Sequence, residues 1–246
     1  MKAEPTDQRL LLELQEIDTV LAQLAHRRAN LPELAEVADL TRQVSTLEDD
    51  RVRVQVDVDD LDRAIARLER DVEQVRARKD RDAALLANGR GPARELEALG
   101  HEIESLNRRQ RELEDSELEL MERREQAQSK LDGVVAGIAT AQERLADAER
   151  RRDAALTGIA EQEATASGSR APLAGRLPSD LVSLYERIRA DAGGLGAALL
   201  RAGRCGGCRL ELSGSERAQV KAAPPDEVVR CEECRRIMVR TEESGL

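Results

Sequence analysis

Asn88-Gly89-Arg90-Gly91-Pro92 decides how this chain folds. On either side of it, apolar residues recur at steps of three and four over lengths that a small globular domain does not need. Two glycines end one helix and a proline opens the next. So short a break between two heptad helices predicts an antiparallel hairpin with its tip at 88–92. The first stripe runs from Leu40 through Val54, Val58, Leu61, Ile65 and Val72 to Leu86. The second runs from Leu96 through Leu106, Leu113, Leu131, Ile138 and Ala148 to Ile159. Gln110, Glu117, Arg124 and Arg152 fall on the seam of the second stripe, where polar residues set register and restrain over-association.

A third stripe opens the chain at Leu10, Leu14, Ile17, Leu21 and Leu24. Its register is lost at Leu31-Pro32-Glu33, because proline cannot continue the hydrogen-bond ladder. Folding about Arg90 sets residues 10–25 opposite 155–170, so this helix is expected to pair with the end of the return helix. The helical part is thus read as 1–166. Ser167-Gly168-Ser169, Pro172, Gly175 and Pro178 then read as a linker over 167–178. A short helix from Leu181 to Ala190 follows, with Leu181, Leu184 and Ile188 on one face. Residues 179–246 combine that helix with short strands at Leu210–Leu212, Glu227–Arg230 and Ile237–Arg240. The fold class is mostly α: a long antiparallel coiled-coil hairpin followed by a small C-terminal β ribbon.

Composition agrees with rods rather than a large globular core. The 246 residues contain no Trp or Phe and one tyrosine, Tyr185, while 36% are charged. Net charge is −10, which does not steer the chain as a whole toward nucleic acid. Arginine outnumbers lysine 35 to 4, which reads most simply as a bias in coding-sequence composition. The opening Met1-Lys2-Ala3-Glu4-Pro5 has no apolar secretory core, and no apolar run approaches the ~20 residues of a membrane span. These features predict a cytoplasmic protein, where paired thiols stay reduced and usually hold metal.

All four cysteines fall in two identical spacings, Cys205-Gly-Gly-Cys208 and Cys231-Glu-Glu-Cys234. Each tight turn aims two sulfurs at one point, and two such turns make a tetrahedral cage for one structural Zn²⁺. Four sulfurs leave no coordination position for water or substrate, so the ion's role is folding. A ribbon of about fifty residues without aromatics needs such a staple. Gly206 and Gly207 let the first turn's amides face its sulfurs. Arg235 stands where many such turns carry glycine and has to accept an unusual backbone angle. Arg204, Arg209, Arg235 and Arg236 offset the negative charge of a zinc–thiolate centre. Iron in a rubredoxin-like site, or a redox switch that releases zinc and forms two disulfides, fits the same spacing.

Arg94-Glu95-Leu96-Glu97-Ala98-Leu99, His101-Glu102-Ile103-Glu104-Ser105-Leu106, Leu113-Glu114-Asp115 with Met121-Glu122-Arg123, Leu184-Tyr185-Glu186-Arg187 and the closing cysteine pairs resemble a bacterial family. It is the C4-type zinc-ribbon, coiled-coil-hairpin family, long described as a domain of unknown function. The resemblance implies a hairpin joined to a terminal ribbon and zinc on Cys205, Cys208, Cys231 and Cys234. It further implies no enzymatic activity and a regulatory role in nucleic-acid or protein binding.

No nucleophile elbow, phosphate loop or dinucleotide fingerprint is present, and four cysteines are too few for a two-zinc RING domain. His26 and His101 lie on predicted helix surfaces. No small-molecule substrate and no membrane is implied. One candidate nucleic-acid contact is the hairpin tip, where Arg76, Arg78, Lys79, Arg81, Arg90 and Arg94 face only Asp80 and Asp82, a local charge of +4. Against it, the ribbon balances nine bases with eight acids from Leu195 onward and has no stacking aromatics. The favoured expectation is a non-enzymatic adaptor that binds protein partners through the coiled coil and ribbon. Leu184, Tyr185 and Ile188 read as packing rather than docking residues. Intramolecular pairing satisfies the stripes, so a monomer suffices, with a homodimer of hairpins as the other arrangement.

Overall fold

The computed structural model describes residues 1–246. The chain runs α1 (Pro5–Ala29), α2 (Pro32–Ala87), α3 (Ala93–Gly175), α4 (Ser179–Asp191), β1 (Ala197–Arg201), β2 (Arg204–Cys205), α5 (Gly214–Ala222), β3 (Val229–Arg230) and β4 (Ile237–Val239), then a 3₁₀ turn at Glu242–Ser244. It divides into two compact units, Ala35–Glu149 and Met1–Leu34 with Arg150–Leu246.

The unit Ala35–Glu149 is the antiparallel hairpin. Val54, Val58, Val72, Leu106, Leu113, Leu131 and Ile138 bury the seam, and their heptad spacing explains why these rather than their neighbours do so. Val54 and Val58 pack on Leu131 and Ala127. Two of the polar seam residues, Gln110 and Arg124, bond across the pair. Lys79 Nζ donates to Gln110 Oε1 at 2.7 Å, and Arg124 Nε donates to Asp62 Oδ1 at 3.0 Å. At the tip Gly89 has φ 61°, a left-handed conformation that closes α2 without a Cβ penalty. Pro92 opens α3 with its carbonyl accepting from Glu95 N.

The other unit contains a four-stranded sheet in the order β2-β1-β4-β3. β1 runs parallel to β4, with Ala197 opposite Ile237, while β2 and β3 pair antiparallel at the two sides. The pleat separates two cores. Ala197, Ile237 and Val239 face the helices and join Leu11, Leu14, Leu173, Leu181 and Tyr185. Leu200 and Met238 face the other way and join Cys205, Leu212, Val220 and Cys231. α1 and the turn after it also meet α3, where Leu24 and Leu31 pack on Ile159.

The stretch 167–178, expected to be a linker, is helical through Gly175, with Pro172 inside α3. Its local breakers are overridden by tertiary contacts: Leu173 and Leu177 are buried, and Arg170 is anchored. Arg170 donates to both oxygens of Asp18, through Nε at 2.6 Å and Nη2 at 3.1 Å, and also to Glu186. Tyr185 Oη donates to Asp18 at 2.7 Å, and Arg189 Nε lies 3.3 Å from the same carboxylate. Leu184, Tyr185 and Ile188 pack inward, with Tyr185 fully buried.

Asp18 is 0% exposed. Burial alone pushes its carboxyl up, but the hydrogen bonds of Arg170 and Tyr185 and the charges of Arg170 and Arg189 outweigh burial and hold it below the usual range. Its contribution is therefore full above the unfolded carboxylate range near pH 4 and is lost as pH falls through the lowered folded value. Asp18→Asn is expected to destabilise this unit by about 3 kcal/mol, because it leaves Arg170 and Arg189 without their buried anion. Urea unfolding followed between pH 6 and 3 is expected to show a smaller acid-induced loss in the variant than in the parent chain.

Candidate metal centre

Each cysteine pair forms a knuckle with the same hydrogen bonds. Arg209 N donates to Cys205 O at 2.7 Å and Cys205 N to Leu210 O at 3.0 Å. In the second knuckle Arg235 N donates to Cys231 O at 2.9 Å and Cys231 N to Arg236 O at 3.0 Å. The amides of Gly207 and Cys208 turn toward the Cys205 sulfur, and those of Glu233 and Cys234 toward the Cys231 sulfur.

The four sulfurs lie within 4.8 Å of one another. Cys205 to Cys234 and Cys208 to Cys231 are each 3.8 Å, far beyond a disulfide bond of about 2 Å. A tetrahedron of sulfurs about 2.3 Å from a central zinc has edges of about 3.8 Å. The cage therefore fits a tetrahedral ion with little adjustment. Cys205 and Cys231 are buried, while Cys208 and Cys234 are half-buried. Burial pushes the Cys205 and Cys231 thiols up. At Cys234 burial acts in the same direction, but the backbone amide and side chain of Arg236 and the neighbouring thiols outweigh it and lower the thiol. Metal capture must displace the remaining protons.

The expected strain at Arg235 is present, with φ 62°, and Arg209 repeats it in the first knuckle at φ 64°. Each holds the left-handed turn that points amides at sulfur, at a cost of roughly 1–2 kcal/mol relative to glycine's freedom. Gly206 has a second reason to be glycine: a Cβ there would lie 2.7 Å from Leu199 O. The flanking arginines divide. Arg236 lowers the Cys234 thiol and donates to Ala192 O at 2.6 Å and Leu195 O at 2.9 Å, tying the knuckle to the end of α4. Arg204 pairs with Glu211, and Arg209 and Arg235 are exposed.

Glu216 and α5 were not expected from the sequence. Ser213 caps α5 by accepting from Glu216 N at 3.1 Å. The buried Glu216 carboxylate then accepts from Glu232 N at 3.2 Å and steadies the second knuckle. The spacing Ser213-x-x-Glu216 is the sequence signal that marks this helix start. Of the expected strands, Leu210–Leu212 reduces to a single bridge of Glu211 with Arg204.

The tip arginines lie on the other compact unit. Arg78 pairs with Glu102 at 2.8 Å and Arg76 with Glu114 at 3.4 Å, and Lys79 bonds Gln110. Arg81, Arg90 and Arg94 are exposed and carry no ion pair. The local count of +4 omitted the glutamates that the return helix lays alongside.

Removing the metal with a high-affinity chelator is expected to withdraw about 10 kcal/mol and unfold the β strands while the α2–α3 pair stays helical. Amide hydrogen exchange with zinc analysis checks this at one ion per chain. Arg235→Gly is expected to raise ribbon stability by up to about 1 kcal/mol, since glycine adopts φ 62° without strain. Guanidinium unfolding of the zinc-loaded chain measures the gain.

Comparison with known proteins agrees with this construction. The family described as CT398-like coiled coil hairpin domain matches residues 14–193, and the C4-type zinc ribbon domain matches residues 204–238. The cage is that of a zinc ribbon, and its resident ion is one structural Zn²⁺. An uncharacterized protein of Mycobacterium tuberculosis is 40% identical over 242 residues, 98% of each chain. A solved structure from Mycobacterium smegmatis superposes with a TM-score of 0.86 at 38% identity, covering 98% of this chain and 100% of that one. CT398 from Chlamydia trachomatis shares the fold, with a TM-score of 0.69 at 19% identity over 95% of this chain and 97% of its own. With hairpin and ribbon both matched, and relatives aligned almost end to end, the chain belongs to the CT398-like coiled-coil hairpin family and carries a C4-type zinc ribbon.

Proposed function

We propose that this chain is a non-enzymatic adaptor that binds protein partners. The observation that carries the reading is the closed sulfur cage, whose four ligands lie within 4.8 Å of one another. Such a centre has no open position for a substrate, so its work is to hold the ribbon's shape. The buried ionisable groups point the same way. Asp18 is saturated by Arg170 and Tyr185, and Glu216 by a backbone amide, which is the signature of scaffolding rather than acid–base chemistry. A fixed ribbon and a two-helix surface are what an adaptor presents. No helix is long and apolar enough to cross a membrane.

Nucleic-acid binding is the second reading. Its support is the exposed Arg81, Arg90 and Arg94, which have no acidic partner and can meet phosphates. The engagement of Arg76, Arg78 and Lys79 by the return helix weakens it.

Affinity capture on the zinc-loaded chain, with and without nuclease, separates the two. The adaptor reading expects specific proteins to be retained after nuclease. Loss of all partners on nuclease treatment supports the second reading instead. In that case a triple substitution of Arg81, Arg90 and Arg94 to alanine is expected to flatten the salt dependence of RNA or DNA binding.

A further inference from the structure

The two cysteine knuckles share their internal hydrogen bonds, but the anchor at the entry of each is different. In both, the amides of the third and fourth residues turn toward the first sulfur. The amide of the second residue then needs an acceptor from outside the knuckle. In the first knuckle Gly206 N donates to the backbone carbonyl of Leu199 at 2.9 Å. In the second, the matching amide of Glu232 donates to the side-chain carboxylate of Glu216 at 3.2 Å.

These anchors differ in stiffness. Leu199 lies in β1, opposite Val239 of β4, and the next residue, Leu200, lies opposite Cys205 of β2. Its carbonyl cannot shift without disturbing the sheet, and a Cβ on Gly206 would lie 2.7 Å from it. Glu216 instead reaches out from the first turn of α5, a helix that buries only Glu216 and Val220. The far end of α5 is fixed by Arg240, which donates to Val220 O at 3.2 Å and Ala223 O at 2.7 Å. Its near end has the Ser213 cap. Glu216 is 7% exposed, and the neighbouring Arg217 pairs with Glu211 rather than with it. A buried carboxylate is costly unless something receives it, and the Glu232 amide does so. The exit of the second knuckle is held separately, by Arg230 on Arg235 O and by Arg236 on the end of α4. Its entry is the part that depends on one movable side chain.

We propose that Glu216 is a positioning residue for the metal centre: its carboxylate keeps the second knuckle closed, and that knuckle, rather than the first, opens when zinc is given up. When the carboxylate lets go, the peptide between Cys231 and Glu232 is free to turn. The amides of Glu233 and Cys234 then lose their aim at the Cys231 sulfur. Hydrogen bonds that orient a ligand change metal affinity about ten- to hundredfold. α5 is thereby the element whose position governs how long the ribbon retains its metal. This role is independent of which partner the chain binds.

The test times zinc release from the zinc-loaded full chain into an excess of a chromogenic chelator. Glu216→Met keeps the side chain's length without an oxygen acceptor and is expected to release zinc about tenfold faster. Glu216→Gln keeps an oxygen that accepts from Glu232 N and is expected to stay within about twofold of the parent chain. Hydrogen exchange read residue by residue is expected to speed at the Glu232 amide in Glu216→Met and to leave the Gly206 amide unchanged, which a general loss of ribbon stability would not do. In the parent chain the Gly206 amide is expected to be better protected than that of Glu232. Release from Glu216→Met at the parent rate overturns the proposal. So does Glu216→Gln releasing as fast as Glu216→Met, which would make charge rather than the hydrogen bond the cause. Equal acceleration of exchange at Gly206 and Glu232 overturns it as well. If Glu216→Met does not load zinc, the parent chain decides: a Gly206 amide no better protected than that of Glu232 overturns the proposal.

Discussion

A sheet whose longest strand has five residues has two faces to bury and, from Leu195 to the end, no aromatic side chain to bury them with. That constraint shapes everything around it. One face is closed by sulfur and metal, with Leu200 and Met238 against the cysteines. The other is closed by helices, where Ile237 and Val239 meet Leu11, Leu14, Leu181 and Tyr185. Neither cover suffices for a sheet this small, since a four-thiolate zinc site supplies folding free energy only to the knuckles it joins. The ribbon is therefore one layer of a helical unit rather than an independent domain.

Polar groups do much of the joining. Gln15 holds the entry to β1, and Gln8 donates to Ala3 O and Pro225 O, which ties the chain's start to the loop before β3. Arg240 gathers the carbonyls of Ala223, Pro224 and Glu227 at 2.6–2.8 Å, and Arg236 does the same at the end of α4. A planar guanidinium with five donors suits this task better than an ammonium. Part of the arginine excess therefore has a structural use, beyond the coding bias read from composition. These contacts also explain why turns that lack glycine are tolerated: Arg230 Nε donates to the carbonyl of Arg235 at 2.9 Å, which fixes the strained residue from outside.

In the hairpin, the same residue types act differently. Lys79 with Gln110 and Arg124 with Asp62 fix the register of two helices whose apolar seam would tolerate sliding. Arg76 and Arg78 meet glutamates of the return helix, so much of the local positive charge is neutralised within the protein. Near the tip, Arg81, Arg90 and Arg94 stay exposed without an ion pair.

Sequence alone determined the hairpin, its tip at Gly89 to Pro92, the break before Pro32 and the four sulfur ligands. Heptad spacing, helix-breaking residues and cysteine spacing are local patterns that survive in any context. It also placed residues 10–25 against the end of the return helix, because chain length and a short turn leave little choice. Only the tertiary structure decided that 167–175 is helix. The anchoring of Arg170 by a carboxylate 152 residues away overrides Gly168 and Pro172. Only the tertiary structure decided that β1 lies parallel to β4 and that Glu216 supports the second knuckle. Those outcomes depend on which distant groups meet, and no local pattern encodes a hydrogen bond between residues that proximity alone brings together.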